Sequence, residues 1–204
     1  AGSTAGFEAL GVVGGDGTVN EAANGMAEGA PPLCHLPSGT ANVLAKELRL
    51  PRTAEGLARV LVEGREIAWD VGVDAVSGRR VLLFASAGYD AEVVRLFHAK
   101  RTGPIHMWQY LWWGVKSMLE SDAPEIVVEL EGSVLTRRAA WVLVSNVAAY
   151  GGPLVFTPKS KPDDGVFEVM VVHGRGRRDT LRMFVRGILN WMLGIDLEVG
   201  GLTF

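Results

Sequence analysis

A single cysteine, Cys34, stands among the 204 residues, which excludes an internal disulfide and suits a reducing compartment. No apolar run approaches the roughly 18 residues that a membrane span requires. The first residues also lack the charged-then-apolar pattern of a secretory signal. A net charge of −3 argues against a generally basic nucleic-acid binder and leaves room for a local basic patch. The four histidines, His35, His98, His106 and His173, show no metal-ligand spacing, and no Ser-His-Asp triad can be argued. No Gly-Lys-Ser/Thr sequence occurs, so the P-loop lysine is absent, and the dinucleotide fingerprint Gly-x-Gly-x-x-Gly is absent too. There is no internal repeat and no low-complexity tract. These absences point to a cytoplasmic protein with no nucleic-acid partner, for which contact with a membrane surface stays open.

The first third of the chain alternates buried-strand and helical patterns. Residues 9–13 and 33–36 read as strands, and 19–27, 41–48 and 53–63 as helices, the last two separated by Pro51. Strand, helix, strand in that order implies an α/β domain with a parallel sheet. Past Arg65 the character changes. Residues 66–73, 80–87, 125–131, 135–145 and 166–172 read as strands joined by Gly, Ser and Asp turns, a mainly antiparallel region. Helical patterns at 105–119 and 179–192 are inserted into or follow it. The expected domains are therefore 1–65 and 66–204.

Two loops carry the chemistry. In the first, a strand runs into Gly14-Gly15-Asp16-Gly17-Thr18 and a helix follows. Glycines let an anion approach backbone N–H groups without a Cβ in the way, and the helix start adds unpaired donors. Thr18 and Glu21 have capping-box spacing, which places the helix start at Thr18. Asp16 is the odd member, because a carboxylate in a phosphate cradle repels its ligand unless a cation or a proton intervenes. That points to a magnesium-bound nucleotide or to a hydroxyl awaiting deprotonation. The second loop repeats the construction: Pro37-Ser38-Gly39-Thr40-Ala41-Asn42, with Thr40 as the expected N-cap of the next helix. In a parallel sheet both loops leave from the carboxyl edge, where open α/β folds bind ligands.

The ordered pair of loops resembles the catalytic domain of the diacylglycerol kinase family, which includes bacterial diacylglycerol and related lipid kinases and the sphingosine and ceramide kinases. Gly88-Tyr89-Asp90-Ala91, Ser145-Asn146 with Gly151-Gly152, Pro158 and Asp163-Asp164-Gly165 extend the match over roughly residues 7–175. The resemblance implies a partial α/β nucleotide-binding domain joined to a β-sandwich lipid-substrate domain, with the site in the cleft between them. It also implies transfer of the terminal phosphate of ATP to a lipid hydroxyl, with Mg2+, and a place in phospholipid metabolism. On that basis Gly14, Gly15, Asp16, Gly17, Thr18, Glu21, Gly39, Thr40 and Asn42 would form the nucleotide site. Asp16 would also be catalytic, and Asp164 would hold a structural magnesium.

Family members carry an Asn-Pro strand and a helix before the first loop, and a later Asp-Gly-Glu segment supplying the catalytic base. Neither is found here. Asp196-Leu197-Glu198 has the acidic spacing but not the glycine, and takes no role. The resemblance therefore implies a chain truncated at both ends and lacking its base.

Two further features carry two readings each. On 105–119, Ile105, Trp108, Leu111, Trp112, Val115 and Leu119 form one stripe suited to a core, while Tyr110 and Trp113 lie off it and suit a membrane interface. Arg175, Arg177, Arg178, Arg182 and Arg186 suit a solvated face or anionic lipid headgroups. Two rival functions also stand: an NAD kinase, which shares the first loop, and a non-catalytic nucleotide- or lipid-binding module.

Overall fold

A computed structural model describes residues 6–100, 126–151 and 154–173, together with positions 182, 185, 186, 189, 202 and 203. The helix expected at 105–119, Gly152 and most of the arginine-rich 175–186 stretch lie outside the described residues. Among the described residues no helix is long and apolar enough to cross a membrane.

The chain divides into two compact units, residues 1–83 with 161–166, and 84–160 with 167–204. The first contains β1 (Leu10–Gly14), α1 (Asp16–Gly25), β2 (Leu33–Pro37), α2 (Val43–Glu47), α3 (Ala54–Glu63), β3 (Gly72–Val73) and β4 (Arg80–Val81). β1 and β2 are parallel, in register from Leu10 opposite Leu33 to Gly14 opposite Pro37. Val19 and Ala23, one helical turn apart, bury one stripe of α1, and Val12, Val43, Leu44 and Ala45 are also buried. α3 starts as the sequence suggests, with Thr53 Oγ1 accepting from Gly56 N at 3.1 Å.

The expected division near residue 65 is displaced to Leu83, because residues 69–83 are bonded into the first unit. Asn20 and Asn24 of α1 hold the backbone of β4. Asn24 Oδ1 accepts from Arg80 N at 2.7 Å, and Asn24 Nδ2 donates to Arg80 O at 2.9 Å. Asn20 Oδ1 accepts from Leu82 N at 3.1 Å. The Arg80 guanidinium returns the contact, donating to Ala23 O and Met26 O at 2.7 Å each. Those carbonyls lie at the end of α1, where a cation is favoured.

The same bonds explain two departures from the strand pattern. The apolar run 80–87 is broken, because Leu82 gives its N–H to Asn20 and its carbonyl accepts from Trp69 Nε1 at 2.9 Å. Only Gly72–Val73 of the expected strand 66–73 is paired, as β3 against β4.

The second unit is an antiparallel sheet. β7 (Ser133–Ser145) is flanked by β5 (Phe84–Gly88), β6 (Ile126–Leu130) and β10 (Glu168–His173), and β11 (Leu202–Thr203) pairs with β10. β8 (Ala149–Tyr150) and β9 (Leu154–Val155) form a separate pair, and α4 spans Tyr89–Lys100. From Ala139 to Leu143, β7 is apolar on both faces. Trp141 and Leu143, both fully buried, join Tyr89, Val93, Tyr150, Phe156, Met170 and Val172 on one side. Ala139 and Val142 join Val171 on the other. The fold class is the one expected: an α/β part with parallel strands and an antiparallel β-sheet part.

Candidate functional site: two glycine loops fused at their backbones

The two loops meet. A Cβ built on Gly39 would lie 2.5 Å from the Gly15 Cα and 2.9 Å from Asn42 Oδ1, and one built on Gly15 would lie 3.2 Å from the Gly39 Cα. These glycines let the two backbones touch. Gly14 is crowded in turn by Thr18, whose side-chain atoms would stand 2.5–2.7 Å from a Cβ there.

Asp16 ties the loops together. Its Oδ2 accepts from Val43 N and its Oδ1 from Leu44 N, both at 3.0 Å. The positive partner that the carboxylate lacks in the sequence is supplied by the first amides of α2. Asn42 stabilises the second loop from inside: Oδ1 accepts from Gly39 N at 2.9 Å and Nδ2 donates to Gly39 O at 2.6 Å. It does so in the left-handed region (φ 47°), which asparagine tolerates better than most residues.

The helix starts differ from those expected. α1 begins at Asp16 with Gly15 as N-cap, in extended backbone (φ −94°, ψ −175°). Thr18 therefore sits inside the first turn and caps nothing. Glu21, instead of closing a capping box, pairs with Arg79 on the exposed surface. α2 begins after Asn42, not Thr40; Thr40 is exposed in the loop.

Gly17 differs from the other loop glycines. It is exposed in the first turn of α1, its φ is not positive, and a Cβ there would meet nothing within 4 Å. The fold does not require glycine at this position, and glycine in a helix costs about 0.5–1 kcal/mol relative to alanine. The glycine leaves the outer surface of the loop without a side chain at this point. Gly17→Ala is therefore expected to raise the melting temperature by about 1–3 °C while weakening nucleotide binding. Melting curves and titration calorimetry on the same preparation check both halves.

Beside the second loop lies an open pocket of 560 Å³, lined by Thr40, Asn42, Lys46, Arg49 and Arg52 among others. Its lining includes three cations and no carboxylate, in a chain of net charge −3. These cations form no sequence motif, because they are scattered along α2 and the turn after it.

Asp164 lies elsewhere in the first unit. Its Oδ1 accepts from Val166 N at 3.1 Å. The same turn is bound to Asp70, whose Oδ2 accepts from Gly165 N at 2.6 Å and whose N–H donates to Pro162 O at 2.7 Å. Asp70 was not singled out by the sequence, and nothing local marks it: its partner is 95 residues away. Among the described residues no group of three or more His, Cys, Asp or Glu could hold a metal. One or two carboxylates at a turn fit an ion that keeps most of its water, as Mg2+ does, and do not form a closed cage.

The remaining motif pieces have structural roles in the second unit. Gly88 has φ +92° and a Cβ there would lie 2.4 Å from Ala140 O. Tyr89 is buried, and burial, then the neighbouring Asp90 charge, pushes its phenol up to about 12. Asp90, also buried, accepts from Ser86 Oγ at 2.5 Å. Ser145 Oγ and Thr157 Oγ1 both donate to Val147 O, at 2.7 and 2.9 Å.

Comparison with known proteins divides the chain near the same point, although residues 161–166 of the first compact unit fall within the second match. Residues 2–73 match the family model described as "Diacylglycerol kinase catalytic domain", and residues 84–188 match that described as "YegS C-terminal NAD kinase beta sandwich-like domain". The chain belongs to the diacylglycerol kinase family. It is 27% identical over 168 residues to proteins named diacylglycerol kinase from Staphylococcus aureus strains JH9 and Newman, covering 81% of this chain and 53% of each relative. The chain thus spans about half the length of the curated relatives it matches. Its fold is similar to that of a crystal structure of a diacylglycerol kinase from Bacillus anthracis str. Sterne. That match has a TM-score of 0.68 and 21% identity, and covers 98% of this chain and 66% of the other. The two loops of the site fall within the first of the family's two models. Leu83, where the compact units divide, falls between the two.

Proposed function

We propose that this chain carries the nucleotide site of an ATP-dependent lipid kinase, one that moves the terminal phosphate of ATP to the hydroxyl of diacylglycerol or a similar lipid. The observation that carries this reading is the fusion of the two glycine loops, with Asp16 bonded across to Val43 and Leu44. Phosphoryl transfer asks little covalent chemistry of a protein. It asks that the phosphates be held still and their charge be offset. Gly14–Thr18 would offer backbone N–H groups over the uncluttered surface at Gly17, and Thr40 and Asn42 would border the phosphates from the second loop. Lys46, Arg49 and Arg52 would attract them electrostatically. A magnesium ion arriving with the nucleotide would neutralise phosphate charge there. A second one, mostly hydrated, would be held by Asp164 with Asp70. In this reading Asp16 positions the loops, and its catalytic role is the finer part of the proposal.

The test is a transfer assay with labelled ATP, offering a total lipid extract and, separately, NAD as acceptors, read by mass spectrometry. Phosphorylated lipid is the product expected from a version extended to the length of the relatives. Phosphorylated NAD would replace the lipid reading with the nucleotide-acceptor one. ATP binding with neither product would make this chain a binding module.

A further inference from the structure

His35 lies at the middle of β2, opposite Val12 and only 2% exposed. Its Nε2 stands 3.0 Å from Gly14 O, the last carbonyl of β1. That carbonyl can only accept, so Nε2 carries the hydrogen. The same oxygen accepts from Ser38 N at 2.9 Å, the rung that ends the β1–β2 ladder and opens the second loop. One carbonyl at the head of the first loop is thus held twice, by a side chain from beneath and by the backbone of the second loop.

The other ring nitrogen, Nδ1, is buried with no hydrogen-bond partner among the described residues. An unmatched buried polar atom is costly, on the order of 1–3 kcal/mol. A β-branched aliphatic residue would fill a buried strand position without that cost. Stability alone therefore does not account for a histidine here, and the bond to Gly14 O is what the imidazole supplies in return. The bond has a geometric consequence. A trans peptide directs its C=O and N–H to opposite sides, and the chain has no cis bonds among the described residues. Fixing Gly14 O toward β2 fixes the aim of the Gly15 N–H.

We propose that His35 is a positioning residue of the nucleotide site, setting the plane of the Gly14–Gly15 peptide so that the leading N–H of the loop is held in one orientation for phosphate. The proposal rests on the nucleotide reading given above.

Its test compares His35→Leu, which removes the donor, with His35→Gln, whose terminal amide offers an N–H of similar reach. ATP affinity is measured by calorimetry, and exchange of the Ser38 and Gly15 amides by NMR. His35→Leu is expected to keep or raise the melting temperature, to weaken ATP binding by about tenfold and to speed Ser38 exchange by a similar factor. His35→Gln is expected to restore both to within about threefold of the parent. A folded His35→Leu with parental affinity and parental exchange overturns the proposal, as does a His35→Gln no better than His35→Leu. A parent chain that binds no ATP overturns the nucleotide reading itself. The exchange data then still decide whether His35 orients the loop.

Discussion

Gly39→Ala is expected to abolish measurable nucleotide binding and to lower the melting temperature by about 4–10 °C, taking about 2–4 °C per kcal/mol for a chain of this size. The added methyl would lie 2.5 Å from the Gly15 Cα and 2.9 Å from Asn42 Oδ1. The first of these neighbours is backbone and cannot swing aside as a long side chain would. Overpacking of this kind costs about 1–3 kcal/mol. The functional loss is larger than the stability loss, since parting the loops by about 1 Å misplaces every donor on them, and such errors cost about a hundredfold. Gly17→Ala makes the contrast, because a methyl added in the first loop, two residues past Gly15, meets nothing. Thermal melts with ATP titrations on both variants are the check. A Gly39→Ala protein that binds ATP like the parent would mean that the loops do not act as one site.

Asp16→Asn is the second large effect. The carboxylate accepts from two backbone N–H groups at 3.0 Å each, and bonds to a charged acceptor contribute about 1.5–3 kcal/mol apiece. Asparagine supplies one accepting oxygen and turns a donor toward the second N–H. A loss of about 2–3 kcal/mol is expected, seen as a lower denaturation midpoint with an unchanged slope. Asp16→Ala should lose slightly more. These measurements also separate two roles. A residue that clamps the loops loses stability and nucleotide affinity together. A residue that only moves a proton loses turnover while the midpoint stays put, and that result would make Asp16 catalytic in the narrower sense.

Much of the first unit is legible in sequence because its information is local. Strand, glycine turn, helix, repeated twice, gives both the parallel pair and the placement of the loops. What sequence does not convey are bonds between distant residues. Thr18 with Glu21 matches a capping box, yet Gly15 already supplies the extended N-cap geometry, and Glu21 is drawn to Arg79, 58 residues on. Asp16 looks like an unneutralised charge until Val43 and Leu44 arrive 27 and 28 residues later. The run from Arg80 to Ala87 reads as one strand, because periodicity cannot register that Asn20 and Trp69 take the backbone of Leu82. Asp70 has no local signature at all.

The grip of Arg80 on α1 has a mechanical meaning. At its far end the helix is bolted to the β3–β4 hairpin through Asn24, Arg80 N and the two carbonyls of Ala23 and Met26. At its near end Asp16 is bolted to α2. Ten residues at 1.5 Å each make a stiff rod of about 15 Å with no loose end. Torque on the hairpin is then delivered to the glycine loops with little slack, and a substitution at Arg80 would be felt where it touches nothing.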